Sequence, residues 1–307
     1  MQGAYHLSLT EHLTQILVKT SAYTGTAIIN SDDFKNCIRS IVMLQNFQGP
    51  PTAMTTQSLP WSTPGIMPGG PASTSARSPM HAILDTLGPG NDGDDLMSLV
   101  LELSDGWRLA RSYAMARTNS EAPPPWSPHS DYSRVIQHHL DIDSKAPTKF
   151  RWLANQFDTY ELEALEQNRA YWAPWLCAQF VYATIPCLIN HPFLLSMRLR
   201  HYRHTTPHSF IQQSFEQITR HAEWISHYLE LLETKRFVVS DPTIAHCVVV
   251  IATIHLQHRC VADSDLRDKA CREYDKCLNF LRAMRGTWPT AQTMVSRFCL
   301  FILLRIP

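Results

Sequence analysis

The sequence lacks net charge, clustered cysteines and a long uninterrupted apolar run. Its 307 residues carry 27 Lys and Arg against 27 Asp and Glu, so the chain has no overall attraction for nucleic acid or anionic membrane. Its cysteines are scattered without a Cys-x-x-Cys pair, which indicates reduced core thiols in a reducing compartment. They are Cys37, Cys177, Cys187, Cys247, Cys260, Cys271, Cys277 and Cys299.

Membrane and secretion signals are also missing. The longest apolar run, 244–256, is too short to span a bilayer and contains His246 and His255. Residues 1–15 lack the basic start and continuous apolar centre of a secretory signal. We therefore expect a soluble, intracellular protein with no membrane partner.

The sequence contains none of the short motifs that identify an active site. It has no Gly-x-Ser-x-Gly, no phosphate-binding glycine loop, no His-Glu-x-x-His and no dinucleotide fingerprint. Asn91–Asp95 resembles part of a calcium loop, but it lacks the spaced ligands and the closing glutamate, so a loop leading into a helix is predicted. No catalytic, cofactor-binding or metal-binding residue is predicted, no cofactor is expected, and the chain is predicted not to be an enzyme.

Two groups of histidines are the remaining candidates for a site. The first is basic, and the arginines in it repel a cation, so it is predicted to be a solvated face, with an anionic partner as the alternative and a metal site disfavoured. The second, His255 and His258 near Cys260, is predicted to lie at the edge of the core. The members of the first group are Arg198, Arg200, His201, Arg203, His204 and His208.

The segment 207–260 predicts two long helices joined by one corner, Ser240-Asp241-Pro242, where a capping side chain precedes a proline at a first helical position. The first helix has one apolar seam at steps of three and four. The second, Ile244–Leu256, is apolar nearly all round and is predicted to be the core on which the others pack; a strand at 248–251 is the alternative. The seam is Ile211, Phe215, Ile218, Ala222, Ile225, Leu229 and Leu232.

The sequence as a whole predicts three regions. Residues 1–47 contain two short helices, at 9–19 and from Ser31, and 48–93 form a flexible insertion rich in proline, glycine and serine. Within the insertion, Ser78-Pro79 offers a phosphorylation site as the alternative to a plain linker. Residues 94–307 form the main helical region.

Further helices are expected along the main region. They are 96–110; 132–140, capped by Asp131; 161–173, kinked or interrupted at Pro174; 175–188; one from Pro192 to about Tyr202; 264–281, capped by Ser264; and 290–304. Alternating strand patterns with hairpin turns are almost absent. The predicted fold class is therefore all-α, with long antiparallel helices around a buried apolar helix.

Several motifs within 171–288, in order and spacing, resemble the regulatory domain of fungal zinc-cluster transcription factors, the fungal-specific transcription factor domain. Gly106-Trp107-Arg108-Leu109-Ala110 and Asp131-Tyr132-Ser133-Arg134 extend the resemblance upstream. The motifs are Tyr171-Trp172-Ala173-Pro174-Trp175, Asn190-His191-Pro192-Phe193-Leu194-Leu195, Trp224-Ile225, Leu229-Glu230-Leu231-Leu232-Glu233, Val239-Ser240-Asp241-Pro242, Ala252-Thr253-Ile254-His255-Leu256-Gln257, Lys276-Cys277-Leu278 and Trp288-Pro289.

The resemblance implies a nuclear, all-helical module that regulates transcription, often of a metabolic or secondary-metabolite pathway. In the family this module follows a DNA-binding domain with six closely spaced cysteines around two zinc ions. Here Cys37 and Cys177 are the first two cysteines, so we expect either a truncated gene or regulation through another transcription regulator or DNA-binding partner. A small-molecule effector, in a pocket lined by histidines and tryptophans of 171–260, and a dimer remain open, as do a helical metabolic enzyme and an interaction scaffold.

Overall fold

Every regular element among the described residues is a helix. The computed structural model describes residues 32–48, 96–116 and 122–286, and these ranges contain no strand, so the all-α prediction is confirmed for them. Residues 248–251, where a strand was the alternative, are helical. The α-helices are α1 (Asp32–Gln48), α2 (Leu96–Met115), α3 (Asp131–Lys145), α4 (Trp152–Asn155), α5 (Leu162–Gln167), α6 (Arg169–Ile189), α7 (Pro192–Arg198), α8 (His208–Lys235), α9 (Pro242–His258) and α10 (Ser264–Met284).

Single 3-10 turns link some of these helices. They are Thr148–Phe150, Phe157–Thr159 and Leu199–His201. Several sequence predictions concern residues outside the described ranges. They are the helices at 9–19 and 290–304, the insertion from 49 to 93 with Ser78-Pro79, the loop Asn91–Asp95 and Cys299.

The chain divides into two units, residues 1–93 and 94–307. In the first unit α1 has buried side chains at Ile41, Val42 and Phe47, and it agrees with the helix predicted after Ser31. The second unit contains the remaining helices.

Helix α6 is the centre of the second unit. It packs against α2, α3, α5, α8 and α9, and fully buried side chains lie on all its sides, including Trp175, Phe180 and Ile185. The prediction that α9 is the core on which the others pack is therefore wrong in its choice of helix. Helix α9 is largely buried, and its main partners in the described part of the chain are α6, α8 and α10.

The two prolines of α6 explain why the sequence does not indicate one long central helix there. The sequence predicts one helix over 161–173 that is kinked or interrupted at Pro174, whereas the chain breaks at Asn168 and the next helix continues through both Pro174 and Pro186. A proline inside a helix removes one backbone hydrogen bond and bends the axis. The burial of Trp172 and Trp175 on either side of Pro174 offsets that cost, because large aromatic side chains contribute much of a core's stabilisation.

The stretch Arg169–His201 is also long and apolar enough, by length and composition, to cross a membrane. Its most apolar window is 67% buried inside the fold, so its apolarity is that of a central core helix. The run at 244–256 is thus not the longest apolar helix of the described chain.

The corner between α8 and α9 forms as predicted. Asp241 has an extended backbone, its carboxylate accepts a hydrogen bond from the Thr243 N–H at 2.7 Å, and Pro242 occupies the first turn. The two helices are antiparallel, and the Ser226 hydroxyl lies 3.3 Å from Nε2 of His255. This corner fixes how α9 enters the core.

The prediction of the apolar seam of α8 is only partly confirmed. Its C-terminal five positions are buried, but Ile211 and Phe215 are 42% and 48% exposed. Phe210 and Ser214 are buried in their place. The buried face is therefore rotated by one residue in the first two turns, because Phe210 packs against Trp126 and Tyr132 from outside the helix pair.

Two helix caps lie one residue earlier than predicted. The side chain of Ser130, not that of Asp131, accepts a hydrogen bond from the backbone of α3. At α10 the cap is Asp263, whose carboxylate accepts from Asp265 and Leu266, rather than Ser264. In both cases two neighbouring residues are good caps, and the extended backbone of the first decides between them.

Gly106 lets α2 approach α6 closely. A Cβ atom at this position would lie 3.2 Å from Cδ1 of Ile185 and 3.3 Å from Cδ2 of His138. We expect Gly106→Val to lower the free energy of unfolding by about 2 kcal/mol, because the added methyl groups overpack the contact. Gly106→Ala is the matched control, with a smaller change, and urea denaturation measures both; equal effects would contradict the close-approach role.

Candidate functional site

A small pocket lies where α2 ends and α3 begins. Its volume is about 120 Å³, and its lining includes three tyrosines, an arginine, a serine and a carboxylate. These residues come from the end of α2, the loop 122–130, the start of α3, the end of α7 and the segment after α7. They are Tyr113, Ser130, Asp131, Tyr132, Arg198 and Tyr202.

The loop on one side of the pocket is built by local hydrogen bonds. Three prolines at 123–125 prevent a helix, and the Ser127 N–H then bonds the Pro124 carbonyl at 2.8 Å. The Ser130 hydroxyl donates to the carbonyl of Pro125 at 2.7 Å and accepts from the Ser133 N–H at 3.0 Å. The same serine therefore closes the loop and begins α3.

Arg198 connects the opposite side of the pocket to the end of α2. Its Nη2 donates to the carbonyls of Tyr113 and of Ala116, the latter at 2.7 Å, and its guanidinium lies over the Tyr113 ring at 4.7 Å. The last carbonyls of a helix lack partners within the helix and carry partial negative charge. The cation of Arg198 is thus held at the helix end by these two hydrogen bonds.

The other two tyrosines are fixed by hydrogen bonds of their own. Tyr132 donates to Oδ1 of Asn190 at 2.9 Å, and Tyr202 donates to the carbonyl of Ala122. Edge-to-face aromatic contacts between Tyr113 and Tyr132, and between Trp126 and Tyr202, complete the packing. The hydroxyls of Tyr132 and Tyr202 are therefore already engaged.

Two polar atoms of the lining residues remain without a partner. Within the described part of the chain, neither Oη of Tyr113 nor Nε of Arg198 has a hydrogen-bond partner, and both atoms are buried. Burial raises the pKa of Tyr113 to about 12, so its hydroxyl keeps its proton at neutral pH and acts as a donor. Two of the lining residues therefore each carry one buried donor that has no partner in the described part of the chain.

The pocket brings together one carboxylate only. Asp131 lines it, and its Oδ1 accepts a hydrogen bond from Nη1 of Arg134 at 3.1 Å. The helical-enzyme alternative calls for a pair of carboxylates with perturbed pKa values in a convergent pocket. No such pair lines this pocket.

The basic histidine-rich group is split by the fold. Arg198 points to the end of α2, whereas Arg200, His201, Arg203, His204 and His208 are exposed. Across the described ranges, no group of three His, Cys, Asp or Glu side chains has the arrangement of a metal site. The interpretation of a solvated face therefore fits five members of the group and is wrong for Arg198.

The second histidine group lies at the edge of the core. His255 is buried against Ser226, and burial lowers its pKa to about 4. His258 is half-buried, and burial lowers its pKa as well. Cys260 is exposed, so the prediction of core thiols is wrong there, whereas Cys177, Cys187, Cys247 and Cys277 are free and buried.

The histidines and tryptophans of 171–260 do not line the described pocket. Trp172 and Trp175 pack with Phe157, and Trp224 packs with Trp152. From that range only Arg198 and Tyr202 line the pocket. The pocket between α2 and α3 is therefore not the effector pocket that the sequence predicts.

The sequence identifies the pocket's residues only in part: Arg198 belongs to the basic group for which an anionic partner is the alternative, and Asp131 and Tyr132 belong to a resembling motif. Tyr113 lies beyond the predicted end of the helix at residue 110, and Pro123-Pro124-Pro125 indicates only an interruption. Ser130 and Tyr202 carry no motif. The available signal is a tyrosine at the end of an apolar helix, which is too common to distinguish an unused donor from an ordinary core residue.

Comparisons with protein-family models, with curated proteins and with solved structures found no match for this chain.

Proposed function

We propose that the chain is a transcription-regulatory helical domain that acts in the nucleus through another regulator or a DNA-binding partner. The basis is the resemblance of its motifs to the fungal-specific transcription factor domain. The all-α fold agrees with the helical module that the resemblance implies. DNA contact is assigned to the partner, and a metabolic or secondary-metabolite pathway is the proposed target.

The observation that carries this proposal is that the resembling motifs contact one another. Tyr132 of the Asp131–Arg134 motif donates to Asn190 of the Asn190–Leu195 motif at 2.9 Å. Nε2 of His191 lies 2.9 Å from Oγ1 of Thr253, which belongs to the motif on α9. These motifs are far apart in sequence. Their contacts therefore support the proposal that the motif residues together specify the helical fold of the family that they resemble.

Two further motifs join the same centre. Gly106 lies against Ile185 of α6, and its missing side chain permits that approach. Arg169 of α6 contacts the residues just before the corner motif: its Nη1 donates to the carbonyl of Val238 at 2.8 Å, and its guanidinium lies over the ring of Phe237. Packing of this kind favours a fold in common with the fungal-specific transcription factor domain over a chance similarity of short sequence motifs.

Transcript profiling in the cell of origin tests the proposal. We expect deletion of the gene to change a coherent set of transcripts, and the full chain to restore them. The variant Trp175→Ala, which disrupts the core, should fail to restore them, whereas Leu153→Ala, whose side chain is 86% exposed, should restore them. An unchanged transcript profile after deletion would contradict a regulatory role.

A further inference from the structure

Two residues that line the pocket between α2 and α3 carry buried donors without a partner in the described ranges. We propose that it binds a small oxyanion, either a carboxylate or a phosphate group, through the hydroxyl of Tyr113 and Nε of Arg198. The proposal depends on the geometry of these residues and not on the regulatory role argued above. Its failure would leave that role untouched.

Tyr113 is positioned as a donor. Its side chain is 7% exposed, it lines the pocket, and its hydroxyl has no hydrogen-bond partner in the described part of the chain. Buried polar groups are usually hydrogen-bonded, so an unpaired hydroxyl beside a pocket calls for an explanation. A bound acceptor provides one.

Arg198 supplies the second donor and the charge. Its Nη2 donates to the carbonyls of Tyr113 and Ala116, which holds the guanidinium at the end of α2, and its Nε has no partner in the described part of the chain. The guanidinium lies 4.7 Å from the centre of the Tyr113 ring, so the two donors belong to neighbouring groups. Hydrogen bonds from a charged donor to an anion are stronger than neutral ones.

The charges around the pocket favour an anion, with one exception. The start of α3 carries the positive end of its helix dipole, and two exposed arginines, Arg200 and Arg203, follow the pocket residue Arg198 in the sequence. Asp131 repels an anion, but its carboxylate accepts a hydrogen bond from Arg134. The repulsion from Asp131 restricts the ligand to a small group that approaches from the side of Arg198.

The size of the pocket also selects a small group. A volume of about 120 Å³ is below the roughly 300 Å³ at which sites for drug-sized ligands begin. It accommodates a carboxylate or a phosphate, with the rest of a larger ligand outside. Because both donor atoms are closed to solvent, the flexible stem of Arg198 must shift as the oxyanion enters.

Thermal unfolding of the full chain tests the site with simple probes. Sodium phosphate and sodium acetate are titrated separately, with sodium chloride as the control at matched ionic strength. We expect a saturable rise in Tm with at least one of the two oxyanions and none with chloride. A response to phosphate alone or to acetate alone identifies the group, and a response to both supports the shared chemistry.

Tyr113→Phe removes the hydroxyl and keeps the ring. We expect it to fold and to weaken oxyanion binding at least about tenfold, whereas Tyr171→Phe, which removes a hydrogen-bonded hydroxyl outside the pocket, should leave binding unchanged. Arg198→Lys, which keeps the charge but loses Nε, provides a second reading should Tyr113→Phe unfold. No saturable response in the wild type, or undiminished binding in these pocket variants, would overturn the proposal.

Discussion

Replacing Trp175 by alanine is expected to lower the free energy of unfolding by about 4 kcal/mol. The side chain is fully buried, and its indole N–H donates to the carbonyl of Phe150 at 2.9 Å. Its ring stacks on Trp152 at 5.2 Å and on Phe157 at 5.9 Å. Removing the ring leaves a cavity at the centre of the second unit, where α6 meets the α4 segment.

Two matched variants separate the contributions of Trp175. In Trp175→Phe most of the cavity is filled, and the carbonyl of Phe150 keeps the donor Gln179 at 3.2 Å, so a loss of about 1–2 kcal/mol is expected. Leu153→Ala, at an exposed site in the neighbouring α4, should change stability by less than about 0.5 kcal/mol. Urea denaturation measures all three, and a loss below about 1 kcal/mol in Trp175→Ala would contradict the central position of α6.

The second large effect is expected on acidification. Burial lowers the pKa of His191, His221 and His255 to about 4, whereas a histidine in the unfolded chain titrates near its ordinary value of about 6.5. Between these values the unfolded chain binds more protons than the folded chain. The free energy of unfolding must therefore fall as pH falls from about 6.5 toward 4.

The geometry of His191 shows why it stays neutral. Its Nδ1 accepts a hydrogen bond from the Phe193 N–H at 3.3 Å, so a proton on Nδ1 would break the cap of α7. Its Nε2 faces Oγ1 of Thr253, whose own hydroxyl donates to the carbonyl of Val250 at 2.7 Å. The hydroxyl oxygen of Thr253 is thus an acceptor, and His191 is held as the tautomer with its proton on Nε2.

The size of the acid effect follows from the number of buried histidines. Each contributes a slope of up to about 1.4 kcal/mol per pH unit inside its window, so the three together give up to about 4 kcal/mol per unit near the middle of it. Urea denaturation at several pH values between 7.5 and 5 measures the slope. His191→Asn, which keeps a capping acceptor, should reduce it, and a stability that is constant over this range would contradict the buried neutral histidines.

The helical character of the second unit could be predicted from the sequence because the periodicity of apolar residues and the helix-capping residues are local features. The corner at Asp241 and the buried face of α2 needed only the spacing of apolar residues and one proline at a first turn. The position of the break near Pro174 could not be predicted in this way. Whether a proline interrupts a helix depends on what its neighbours pack against, and that is a tertiary property.

The difference between local features and tertiary packing also explains why the sequence does not predict the pocket. Phe210 is buried and Ile211 exposed because Trp126, which is distant in sequence, packs on one side of α8. The pocket likewise combines residues 113, 130 and 198, which no spacing rule relates. Unused donors become visible only when all partners are in place, so the sequence alone does not mark Tyr113 or Arg198 as a pair.

A tethered-reporter experiment tests the regulatory proposal most directly. The full chain is fused to a heterologous DNA-binding domain in a fungal cell, with the Trp175→Ala fusion as the disrupted control and the Leu153→Ala fusion as the folded control. We expect the wild-type and Leu153→Ala fusions to change reporter transcription in the same direction and the Trp175→Ala fusion to lose the effect. Reporter transcription that is the same with the wild-type fusion as with the DNA-binding domain alone would contradict the proposed function.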